Sequence, residues 1–142
     1  MIELVKEVSL QISKIHDRIK EIESAFISKK EDIVGTESKK LEQKWLKGKL
    51  SVLEPILDKV EETNKELLIA FILKEQESRT SLYREVKEEQ KIWEDFCDAF
   101  AKNEVEEDEL QNKSLFLTAL HQKEAQLNAY QQIIPIINKY IS

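Results

Sequence analysis

Residues 67–73, Leu-Leu-Ile-Ala-Phe-Ile-Leu, form a long unbroken apolar run near the middle of a chain of 142 residues. A helix that is apolar on all sides must be enclosed on all sides, whereas a surface helix shows a single stripe. Seven residues make about two turns and ~10 Å, far short of the ~20 residues that a bilayer requires. Lys65, Glu66, Lys74 and Glu75 bracket the run with charge. The run is therefore expected to be a packing crossroads, with a docking patch as the alternative. Burying its large side chains would contribute ~10 kcal/mol, and a bare patch of this size invites aggregation.

The rest of the chain reads as narrow helical seams. Val5, Val8, Ile12, Ile15, Ile19, Ile22 and Phe26 follow one another in steps of three and four, which predicts a first helix over 2–31. The pattern lapses over residues 32–37, where Gly35 can take a positive φ and Thr36 or Ser38 can cap a new helix. A second seam runs through Leu46, Leu50, Leu53, Leu57, Val60, Asn64, Leu67 and Phe71, and a third through Leu82, Val86, Glu89, Trp93, Phe96 and Phe100. Traced backwards, the third reaches Ile72 and Leu68, one residue on from Phe71 and Leu67, so the stripe turns by about 100°. Phe116, Leu120, Lys123, Leu127, Tyr130, Ile134, Ile137 and Ile141 make the last seam. Asn103 and Glu106 resemble a capping box for it.

These seams predict an all-α fold in one domain, 1–142, with long antiparallel, coiled-coil-like helices over 2–31, 38–102 and 104–141. Gly48 and Pro55 make residues 48–55 a candidate kink, and the cap-type residues at 78–81 a candidate break. An unbroken helix over 38–102 would be ~97 Å long, with both chain termini folded back to its middle. A break would instead close a compact up-down-up-down four-helix bundle. In both arrangements Leu67, Leu68, Phe71, Ile72, Ile134 and Ile137 form the packing or interaction centre. Trp45, Trp93, Phe96 and Phe100 are the candidate interface anchors, large aromatic groups being the usual hot spots of a protein interface.

Composition limits the function. Charged residues make up 35% of the chain and aromatic residues 7%, with glycine and proline at two each, a balance suited to solvated long helices. The net charge of −6 disfavours nucleic acid and anionic membranes as partners. The lysines at 39, 40, 44, 47 and 49 are an exception to the acidic balance and are expected to be a solvated helix face. The amino terminus shows neither a basic n-region nor an apolar h-region, so a cytoplasmic protein is expected. Cys97, the single cysteine, is expected at a seam with its thiol kept protonated by its acidic neighbours.

The residues offer little for catalysis. Ser13 and Thr118 stand where a Glu-x-x-His motif before His16 or His121 would need a glutamate, and there is no glycine-rich phosphate loop. No catalytic residue, cofactor or metal is expected. The reading is a non-enzymatic helical protein–protein interaction module, a scaffold, adaptor or small acidic chaperone, that pairs with a protein partner or with itself as a homodimer. A membrane-shaping or membrane-tethering helical dimer is the alternative. A histidine phosphotransfer bundle using His16 is a remote one.

Overall fold

The computed structural model describes residues 2–28, 33–62 and 64–141, and all the long elements among them are helices: α1 (Ile2–Ser28), α2 (Ile33–Glu62), α3 (Lys65–Ala101) and α4 (Glu107–Ile141). Consecutive helices run antiparallel. His16 on α1 meets Glu54 on α2 while Glu23 meets Gln43, and Lys113 on α4 lies over Phe96 on α3 while Lys123 meets Glu85. α2 and α4 lie side by side in the same direction, with Trp45 against His121 and Ser51 against Gln126. The main contacts are α1 with α2, α2 with α4 and α3 with α4, and α1 touches α4 less extensively. The lateral order is thus α1, α2, α4, α3. In a square up-down bundle the two parallel helices would sit diagonally; here they pack directly.

This corrects the expected 38–102 helix, which is two helices. The break falls between Glu62 and Lys65 and not near 78–81, which lies inside α3. Asn64 explains the position. Its backbone is extended (φ −91°, ψ 175°), its side chain accepts the Leu67 N–H at 3.0 Å and its carbonyl accepts the Leu68 N–H at 2.9 Å. That is an N-cap, which satisfies donors that the first turn leaves unpaired. At 78–81 the polar side chains turn back into the helix instead. Ser78 Oγ donates to the Lys74 carbonyl at 3.3 Å and Thr80 Oγ1 to that of Gln76 at 3.0 Å. Hydroxyls bonded to the carbonyl four residues back sit within a helix without ending it.

Other boundaries also differ. α2 starts at Ile33, so residues 33–37 of the expected reversal, Gly35 and Thr36 among them, belong to the helix, and only Asp32 of that expected turn falls outside the described residues. Asn103 closes α3 and does not cap α4. It sits at φ 57°, its N–H donates to the Phe100 carbonyl at 3.0 Å and the Glu104 N–H to that of Ala99 at 2.9 Å. Those two bonds are the Schellman pattern, and asparagine tolerates the left-handed conformation it needs. The backbone of Glu106 receives the first N–H groups of α4, from Glu109 and Leu110.

Neither proline ends its helix. Pro55 lies inside α2 and Pro135 inside α4. Each removes the donor for the carbonyl four residues earlier, that of Ser51 or Gln131. All four of these residues are exposed, so water reaches the freed carbonyls.

The core is continuous along α2. Leu4, Val8, Ile12, Ile15 and Ile19 of α1 join Leu50, Leu53 and Val60, while Ala129, Ile133, Ile134 and Ile137 of α4 bring in Leu68 and Ile72 of α3. α2 lies between two neighbours and needs a wider apolar face than one seam provides. Val52 and Ile56, outside the expected seam, are buried for that reason. Gly48 belongs to the same face: a Cβ there would stand 3.0 Å from the Ala125 Cβ. It is a close helix contact, not a joint. A smaller cluster of Val86, Leu120 and Leu127, flanked by Leu82, Trp93 and Phe116, holds the other half of α3 to α4.

Candidate interaction surface

The expected packing centre is divided between core and solvent. Leu68, Ile72, Ile134 and Ile137 are buried together, and Phe71 is half-buried against them. Leu67 is 60% exposed, and Ile69 and Leu73 also face solvent. The run at 67–73 is therefore enclosed on one side only. The two stripes assigned to one rotating helix belong to two helices, since α2 ends its own stripe at Val60 and α3 begins another at Leu68.

The aromatic anchors mark a transition along the molecule. Trp45 tilts against His121 with ring centroids 5.1 Å apart, and Trp93 against Phe96 at 5.5 Å. Trp45, Trp93 and Phe96 are half-buried, whereas Phe100 is 54% exposed. Lys113 Nζ lies 4.9 Å from the Phe116 ring centroid and 5.8 Å from that of Phe96, so its charge sits over the edge of this cluster. Cys97, expected at the seam, is exposed.

The contact between α2 and α4 fades in the same direction. Along α2 its stripe passes from buried Ile56, Val52 and Gly48 to half-buried Trp45 and then to Leu41, 54% exposed. Along α4 the facing stripe passes from buried Ala129 and Ala125 to half-buried His121, then to Leu117 and Leu110, 39% and 40% exposed. Both helices carry apolar residues onward after they stop covering each other. This second stripe on α4, Glu107, Leu110, Ser114, Leu117 and His121, keeps steps of three and four. It escaped the sequence reading because only two of its members are aliphatic.

A groove of about 580 Å³ opens where α2 and α3 flank α4, lined by Ser51, Val52, Ser78 and Leu82 with Gln126 and Tyr130 at its floor. Burial and the Glu75 carboxylate push the Tyr130 hydroxyl up to about 12. Burial also lowers the Lys49 ammonium below the usual lysine range. Ion pairs fix the helix pairs. Arg18 forks onto both Glu42 oxygens at 2.6 and 2.9 Å and reaches Glu21 at 3.0 Å, which raises its own value and lowers that of Glu42. Tyr140 donates to Glu7 at 2.9 Å and ties the end of α4 to the start of α1. That bond is the first cause of a raised Tyr140 pKa. His16, the remote phosphotransfer candidate, is exposed with Nε2 3.1 Å from Glu54 Oε1.

Among the described residues no three His, Cys, Asp or Glu side chains are grouped so as to hold a metal ion, and no helix is long and apolar enough to cross a membrane. Among the described residues the fold is all-α, with four long helices and an apolar seam left open where α2 and α4 part. Comparison with family models, curated proteins and solved structures finds no match to the chain.

Proposed function

We infer that the chain is a non-enzymatic helical protein–protein interaction module, acting as a scaffold, adaptor or small acidic chaperone through coiled-coil-type helix pairing. The observation that carries this reading is the apolar surface left uncovered along α3 and α4, where Phe100, Leu110 and Leu117 are exposed and Trp93 and Phe96 are half-buried. An amphipathic helix laid against such a side buries apolar area along positions spaced three and four apart. Half-buried aromatic groups at its edge provide anchors of the kind that dominate interface energies.

The test is affinity capture from the native host with the full chain immobilised. Wild type and a control with Glu88→Lys on an exposed part of α3 are expected to retain the same protein, and Phe100→Asp and Leu117→Asp to lose it. Retention that is unchanged in both aspartate variants, or absent from wild type, overturns the reading.

A further inference from the structure

We propose that the uncovered surfaces pair two copies of this chain. The lysine-edged stripe of α2 in one molecule takes the acidic end of the α3–α4 pair of the other, and the same contact is made in return about a twofold axis. The proposal rests on the interaction-module reading above and names its partner.

Charge is the first ground. Residues 94–109 hold eight aspartates and glutamates against Lys102 alone, a net of −7 in a chain whose total is −6. Residues 39–49 hold five lysines against Glu42 alone, a net of +4, and Glu42 already carries the Arg18 fork. Lys40, Lys44 and Lys47 are exposed at i, i+4 and i+7, which places them along one side of α2. The acidic balance of the whole protein thus resides at one end of it, with a basic stripe elsewhere on the surface.

Apolar exposure coincides with both charged regions. Leu41 lies beside the lysines, and Phe100 and Leu110 flank the acidic end. Within one molecule α4 stands between the two regions, because α2 and α3 each pack on α4 far more than on each other. Lys44 is level with Thr118 of α4, and Glu107, Asp108 and Glu109 lie roughly 15 Å further along that helix at 1.5 Å per residue. Two acidic ends repel, so a tip-to-tip dimer is disfavoured. A twofold arrangement in which patch i meets patch j, and j meets i, brings unlike charges together twice and covers Leu41, Phe100 and Leu110 in both copies.

Charge reversal tests this with a built-in rescue. One variant carries Lys40→Glu, Lys44→Glu and Lys47→Glu; the other carries Asp95→Lys, Asp98→Lys and Glu104→Lys, with two of its lysines at the C-terminal end of α3, where they suit the helix dipole. All six positions are exposed, and circular dichroism verifies that both variants fold. By sedimentation equilibrium at low salt, wild type is expected to be a dimer that weakens as salt rises. Each variant alone should associate at least about tenfold more weakly, and an equimolar mixture should recover the dimer, because each mismatch then meets its complement. Leu41→Ser, which leaves the charge alone, should also weaken association.

A wild-type chain that stays monomeric at up to about 100 μM, a range in which a micromolar dimer would be evident, overturns the proposal. So does a dimer indifferent to both reversals, or a mixture that fails to recover. If capture of a foreign protein still depends on Phe100 in any of those cases, self-pairing falls and the broader module reading survives.

Discussion

Lys123 of α4 stands opposite Glu89 of α3, with Nζ 2.8 and 3.0 Å from the two carboxylate oxygens and 2.6 Å from Glu85 Oε1. Each of the two facing residues is the charged member of an otherwise apolar seam, and the two interruptions meet. The Lys123 side chain is 28% exposed and that of Glu89 17%, so the pair is partly withdrawn from water. The Glu85 and Glu89 carboxylates raise the Lys123 ammonium above the usual lysine value. A register slip of one turn along α3 and α4 would set each charge against an aliphatic side chain or an aromatic ring, and that alternative is disfavoured by desolvation.

Removing one partner should cost more than removing both. Glu89→Leu leaves Lys123 half-enclosed with Glu85 alone and is expected to lower stability by about 1–3 kcal/mol, whereas Glu89→Leu with Lys123→Leu should be near neutral or stabilising. A double-mutant cycle from urea unfolding reads the coupling. The pH dependence follows from the raised value: the contribution is complete below the unfolded lysine value of 10.5 and is lost as pH rises through the higher folded one. A single Glu89→Leu variant as stable as the double one contradicts this account.

The seams of α1 and of the α3–α4 pair were legible from spacing alone, because each of these faces meets essentially one neighbour. Ile12, Ile15, Ile19, Ile22, Val86, Leu120 and Leu127 are all buried as their periodicity requires. α2 differs from its expected seam because it touches two helices, and Val52 and Ile56 lie on a second stripe that faces α4. The break between Glu62 and Lys65 was hidden by coincidence. Asn64 sits at a position that continues the α2 seam, so the spacing counts it as a seam residue, while its chemistry makes it a cap. Serine and threonine at 78–81 carried the same ambiguity with the opposite outcome, since a hydroxyl can bond to its own helix. Of the candidate surface, Phe100 was legible as a large aromatic residue at a seam end. The exposure of Leu41, Leu110 and Leu117 depends on where α2 and α4 part, which no local pattern encodes.

The cap at Asn64 gives a direct test of the reversal. Asn64→Ala removes the acceptor of the Leu67 N–H and is expected to cost about 1 kcal/mol, Asn64→Gly only a few tenths, and Asn64→Asp little or nothing. The urea midpoint should fall in that order with the m-value unchanged. If the chain instead continued as one helix through residue 64, alanine would be the better residue there and the order would invert.

Gly48 sets how closely α2 and α4 approach. Because an added Cβ meets the Ala125 Cβ at 3.0 Å, Gly48→Leu should force the helices apart and lower stability by about 1–3 kcal/mol. In Gly48→Ala the same clash, reduced to one methyl, is opposed by a helix-propensity gain of roughly 1 kcal/mol, so the net change is small. Exchanging the two residues, Gly48→Ala with Ala125→Gly, relieves the clash from the other side. Thermal unfolding compares the three variants, and a fully stable Gly48→Leu protein rules out the close approach.

Tyr130 links the groove to alkaline stability. Burial first, and the Glu75 carboxylate second, hold its hydroxyl neutral until about pH 12, against 10 for a free tyrosine. A folded value above the unfolded one means that the contribution is full below about pH 10 and lost as pH rises through 12, because the unfolded chain gives up the proton more readily. Wild type should therefore lose stability with rising pH over that interval, and Tyr130→Phe should flatten the loss while removing the latest tyrosinate step from the ultraviolet titration. Phenylalanine keeps the ring that packs against Ile134 and its neighbours, so the comparison isolates the hydroxyl. An unchanged alkaline slope in Tyr130→Phe would place the hydroxyl in open water and remove it from the floor of the groove.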